Sequence, residues 1–158
     1  MYEVTLQRTL PSTPMPEPGI YVFDAADAPL SLMPMAVRRA LDVSGVHLSL
    51  RGWQSLGILE RRTLVQLGAA EQVEVLQVLS TLRGCEAEQR PVPPLHEPDA
   101  ARGPDEELLG TALAAEHGLT AERWQALRAL DRYVLSSLAR RGKQERLTEA
   151  LAEILSTY

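Results

Sequence analysis

The sequence predicts a mainly α protein: a single-domain helical bundle of about six or seven helices behind a short extended or β-prone N-terminal arm. Three observations predict it. Aromatic side chains are scarce, with Phe23 the only phenylalanine and tryptophan confined to Trp53 and Trp124, so Leu, Val and Ala must build the core. That composition suits packed helices better than a sheet. From residue 34 onward, apolar residues recur three and four positions apart, the stripe of a helix with one buried face. Glycine and proline then punctuate the stripes at helix-length intervals. A chain of 158 residues holds one compact core and is short for two.

Residues 1–33 form the expected arm. Residues 2–7 alternate weakly, Pro11, Pro14, Pro16 and Pro18 favour polyproline or irregular backbone, residues 19–23 are a β-prone burst, and 24–29 are a loop. Residues 34–84 carry the N-terminal helices. Pro34 suits a first helical position, and Gly45 suits a left-handed stop. Ser49 caps a helix holding Leu50, Trp53 and Leu56 that ends near Gly57, and residues 59–67 and 71–82 give two more. Residues 85–104 read as a proline-rich linker. Residues 105–158 supply three C-terminal helices. The first opens on Asp105, Glu106 and Glu107, where carboxylates suit the positive helix end, and closes at Gly118. Thr120 caps the second, whose stripe runs Trp124, Leu127, Leu130, Val134, Leu138, with Arg140 and Arg141 complementing its C-terminal end. Leu147, Ala150, Leu151, Ile154 and Leu155 form the third. The pattern reads as having neither an internal repeat nor a sustained heptad.

Charge and composition exclude several classes of function. A net charge of −5 argues against general affinity for nucleic acid or anionic membranes. Every basic residue but Lys143 is arginine and asparagine is absent, which reads as the footprint of a GC-rich bacterial genome. Cys85 stands alone, so no internal disulfide forms. The first ten residues lack a signal-peptide pattern, and no apolar run approaches the roughly 20 residues of a membrane span. Together these point to the cytoplasm.

The chemistry of sites is thin. His47, His96 and His117 lie in three segments without HExxH or CxxC spacing, so neither a metal nor another cofactor is expected. No glycine pattern cradles a phosphate, and there is no GxSxG elbow. Asp105 with Glu106, or Glu116 beside His117, are nominal acid–base pairs that read better as surface carboxylates at helix ends. The expectation is a protein without catalysis. A small enzyme is the weaker alternative, requiring a concave pocket with convergent polar groups. Residues 36–56 also read as helix, turn, helix, with Arg38, Arg39, Arg51, Arg61 and Arg62 making the stretch basic. A DNA-binding regulator is thus a second alternative, although an αα-hairpin explains the same pattern and few polar side chains could read bases. Arg38 and Arg39 fit a solvated face or ion pairs, or else docking of an acidic partner or anionic cofactor. Trp53 fits the core, or else an exposed anchor.

The segment PMAVRRALDVSGVHLSLRGWQ, residues 34–54, resembles the signature of the nitrate-reductase-associated protein family, which includes a cyanobacterial nitrate reductase maturation factor. The resemblance rests on Pro34, Met35, Val37, Arg38, Leu41, Asp42, Gly45, Leu48, Leu50 and Trp53, and extends to Glu60, Arg61 and Arg62 and to the run from Trp124 to Leu138. Ala40 stands where the family usually has a basic residue, and Leu32 and Ser44 where cysteine is frequent, so any cysteine chemistry of relatives at those places is absent here. The resemblance implies a non-catalytic, chaperone-like accessory protein in nitrate assimilation, one that binds an assimilatory nitrate reductase and assists its maturation or cofactor insertion. It implies partner contacts through Arg38, Arg39 and Arg51, with Pro34, Met35, Asp42, Gly45 and Trp53 shaping the motif.

Overall fold

The computed structural model describes residues 19–83, 89–96 and 106–158. Among them the chain is mainly helical: a 3-10 helix at Val22–Asp24, then α1 (Met35–Ser44), β1 (Val46–Leu48), α2 (Leu50–Ser55), α3 (Ile58–Ala69), α4 (Val75–Arg83), β2 (Gln89–Pro91), α5 (Glu106–Leu109), α6 (Ala112–Glu116), α7 (Ala121–Ala126), α8 (Ala129–Arg140) and α9 (Gln144–Ser156). One core cluster holds side chains from both halves, including Trp53, Trp124, Tyr133, Leu64 and Leu135. The helical bundle expected from the sequence is therefore present, with more and shorter helices than six or seven.

The centre of the N-terminal half is the contact of α1 with α3. A Cβ placed on Gly68 would lie 1.7 Å from the Ala36 carbonyl oxygen, so only glycine lets the two backbones approach this closely. Pro34 sits just before α1 as its N-cap, and Gly45 ends it at φ 71°, as its sequence position suggested. Ser49 and Thr120 accept hydrogen bonds from Gly52 N and Arg123 N and so cap α2 and α7.

Four local expectations are corrected. The β-prone burst at 19–23 forms no strand: its donors go to side chains instead. The buried Asp24 carboxylate accepts from Tyr21 N and Met35 N, while Glu153 of α9 accepts from Val22 N and Phe23 N. Tyr21, Phe23 and Leu30 are buried, so this part of the arm is packed into the core. A strand forms within the presumed linker, where β2 pairs antiparallel with β1 in the register Val46↔Pro91, His47↔Arg90, Leu48↔Gln89. Residues 106–117 break into α5 and α6 because Thr111 caps the second helix through Ala114 N, while Asp105 lies outside the described residues. The long stripe from Trp124 breaks at Leu127 and Arg128, both extended, separating α7 from α8. Residues 2–7 and Cys85 lie outside the described residues.

A fifth correction concerns repetition, because the fold contains one. Residues 48–67 and 119–138 follow one plan: Leu48 and Leu119 before the cap, Ser49 and Thr120 as cap, then Trp53-Gln54 and Trp124-Gln125, Leu56 and Leu127, Leu59 and Leu130, Glu60 and Asp131, Arg61 and Arg132, Leu64 and Leu135. The backbones match as closely. Leu56 closes α2 at φ −71°, ψ 149° and Leu127 closes α7 at φ −70°, ψ 149°. Gly57 and Arg128 follow at φ −69°, ψ 161° and φ −65°, ψ 157°. Arg61 and Arg132 each turn back onto the preceding short helix, donating to Gln54 O and Leu127 O respectively. Each unit is thus a capped helix of six residues, a two-residue extended corner, and a helix of twelve.

Candidate functional site

The motif residues fall into two groups once placed on this fold. Arg39 is fully buried on the face of α1 that meets α3. Its guanidinium donates to Gly68 O at 2.7 Å, to Glu71 O at 3.0 Å, and to Ala70 O. These carbonyls lie at and just beyond the end of α3, where intrahelical donors run out, so a charged side chain satisfies them. That geometry takes Arg39 away from any docking surface. Its neighbour Arg38 points to the other side of α1, toward α8, and is only half-buried. Arg51 is exposed on α2.

The remaining motif positions shape the scaffold. Pro34, Met35, Gly45 and Trp53 are buried, and Trp53 Nε1 donates to Leu30 O at 2.8 Å, leaving no exposed indole to act as an anchor. Asp42, one turn after Arg38, accepts from the Tyr133 hydroxyl at 2.5 Å and ties α1 to α8. Burial, reinforced by the Asp42 charge, pushes the Tyr133 hydroxyl well above the usual tyrosine range, so it stays neutral and remains a donor.

Beside this pair lies a cleft of about 300 Å³ lined by Asp42, Pro93, Leu95, Ser137, Arg140 and Arg141. Its wall from residues 92–95 is pinned to α1, since Val92 N donates to Gly45 O and Leu95 N to Asp42 O, both at 2.9 Å. A Cβ on Gly45 would come within 2.9 Å of Val92 O, so the glycine also makes room for this segment. Arg38 borders the same region: burial first, then the like charges of Arg141 and Arg146, lower its guanidinium from the ordinary arginine value. From the sequence alone Arg140 and Arg141 read as complements to a helix end, and no local pattern marks Tyr133. Their gathering with Arg38 and Asp42 depends on α1 meeting α8, which no local pattern announces.

A second surface belongs to the first repeat unit. Leu50 is 50% exposed at the start of α2, Ile58 40% and Leu59 73% at the start of α3, in the company of the exposed Arg51 and Arg62. In the second unit the positions of Ile58 and Leu59 are Ala129 and Leu130, both buried.

The nominal acid–base residues Glu106 and Glu116 are exposed, and His117 Nδ1 lies 3.0 Å from Leu113 O within its own helix. Among the described residues no three His, Cys, Asp or Glu side chains group as metal ligands, and no helix is long and apolar enough to cross a membrane. The helix after the first turn of the helix-turn-helix reading, α2, has six residues.

No curated protein and no solved structure matches the chain. A sequence model of one family does, over residues 21–154, which takes in the packed part of the arm, both repeat units and nearly all of α9. The chain belongs to the family of conserved nitrate reductase-associated proteins.

Proposed function

We propose that this chain is a non-catalytic accessory protein that binds an assimilatory nitrate reductase and holds it competent for maturation and cofactor insertion. The family description supplies the association with nitrate reductase. The observation that carries the binding reading is the contrast between the repeat units: apolar side chains covered in the second are left open in the first, at Leu59 above all. Apolar positions flanked by arginines suit a partner surface that is apolar at its centre and acidic at its rim. Arg51, with Arg62 beside it, is the contacting arginine of this reading; Arg38 stands beside the cleft on the α8 side of α1, and Arg39 supports the face by holding the end of α3 against α1.

The test is nitrate reductase activity per reductase polypeptide in cells lacking this chain and grown on nitrate. Low activity at normal polypeptide level, restored by the wild-type chain, is the expected result. Normal activity per polypeptide would remove the maturation role.

A further inference from the structure

We propose that the cleft between α1, α8 and residues 93–95 is a binding site for a small organic anion carrying a carboxylate or phosphate group. The charge at the cleft is predominantly positive. In a chain of net charge −5, Arg140 and Arg141 line the cleft and Arg38 stands beside it, against one lining carboxylate among the described residues, that of Asp42. That carboxylate is already engaged by the Tyr133 hydroxyl.

Among the described residues no ion pair engages these arginines. The ion pairs among the described residues are Arg128 with Asp131 and Arg132 with Glu71, both elsewhere in the fold. Arg140 Nε donates to Ser136 O, and the guanidinium groups of Arg38 and Arg141 donate to nothing among the described residues. Arg38 is half-buried, and burial with the like charges of Arg141 and Arg146 outweighs the favourable charge of Asp42, an imbalance that an anion relieves. Guanidinium forks suit the planar carboxylate and the phosphate equally.

The cleft also has the size and lining of an organic ligand site. About 300 Å³ exceeds what an inorganic oxyanion fills, and Pro93 and Leu95 give the cleft an apolar wall opposite the arginines. An anionic head against Arg140 and Arg141 with a short carbon body along Pro93 and Leu95 uses both surfaces.

The experiment is calorimetric titration of the full chain with sodium succinate and, separately, sodium phosphate, at constant ionic strength with chloride as reference. Saturable binding of either is expected, and which one binds assigns the head group. Arg141→Ala and Arg38→Ala should each weaken it about tenfold or more, while Arg51→Ala, on the other surface, leaves it unchanged. No heat beyond the chloride reference for either salt would overturn the proposal. Equal weakening by Arg51→Ala would also overturn it, because the effect would then be bulk surface charge. No reductase enters the measurement, so its outcome is separate from that of the accessory role.

Discussion

The two repeat units share a plan and differ in what covers them. In the second, Leu130 is 1% exposed and the neighbouring Asp131 is locked in place. It accepts from the Tyr21 hydroxyl, from the Tyr158 hydroxyl at 2.6 Å and from Arg128 at 3.0 and 3.1 Å. The packed arm and the C-terminal residue thus converge on one carboxylate. In the first unit, Glu60 has no such donors among the described residues, and Leu59 stands in solvent. The same helix–corner–helix serves as an internal anchor in one half and an open face in the other. Repetition therefore supplied the scaffold, and the neighbours of each copy decided its use.

The largest expected effects break one unit and spare the other. Gly68→Ala forces a Cβ onto the Ala36 carbonyl and should cost at least about 3 kcal/mol in urea denaturation. The matching change in the second unit, Ala139→Gly, should cost only about 1 kcal/mol, the ordinary helix penalty for glycine. Comparable losses from both would show that the close approach of α1 to α3 is not what holds the first unit.

Next comes the carboxylate pair. Asp131→Ala strands the buried Tyr21 hydroxyl and frees Tyr158, for a loss of roughly 3 kcal/mol, whereas Glu60→Ala should stay within about 0.5 kcal/mol. The tryptophans sharpen the comparison further. Trp53→Phe removes the donor to Leu30 O, while Trp124 Nε1 is buried with no partner among the described residues. Trp53→Phe should therefore be the costlier change by about 1 kcal/mol, and a reversed order would contradict the assigned roles of the two indoles.

The mildest effect at neutral pH is alkaline. Tyr21 and Tyr133 are held neutral in the folded chain, by burial first and then by Asp131 and Asp42 respectively, so both ionise higher folded than unfolded. Their contribution is complete below pH about 10 and is lost as pH rises beyond it, at up to ~1.4 kcal/mol per pH unit for each tyrosine. Tyr133→Phe should flatten that fall, and an unchanged slope would show that Tyr133 titrates alike in both states.

How much of this was legible in the sequence follows from how local each signal is. Gly45, Ser49 and Thr120 act on their own turns, and each was readable as a stop or cap. The break at Gly57 was visible because glycine marks it; the equivalent break at Leu127 and Arg128 was hidden, because Trp124, Leu127, Leu130, Val134 and Leu138 keep helical spacing across the corner. With one corner hidden, the two units looked unlike, and the repeat escaped notice despite the paired Trp-Gln and Leu positions. The motif itself was legible as a family resemblance, but the sides taken by its arginines were not. Arg38 and Arg39 are adjacent in the chain, and only the packing of α3 against α1 sends one toward the cleft and the other into the core. The cleft needed β1–β2 pairing to bring residues 93–95 over α1, a non-local contact made by three-residue strands too short to read.

In the proposed function the open face of the first unit receives the reductase. That docking is tested most directly by measuring the affinity of cofactor-free nitrate reductase for the wild-type chain and for the double variant Leu59→Glu, Arg51→Glu. Both side chains are exposed, so the thermal midpoint should not move. Loss of binding at an unchanged midpoint is the predicted result; wild-type affinity in the double variant would contradict the account.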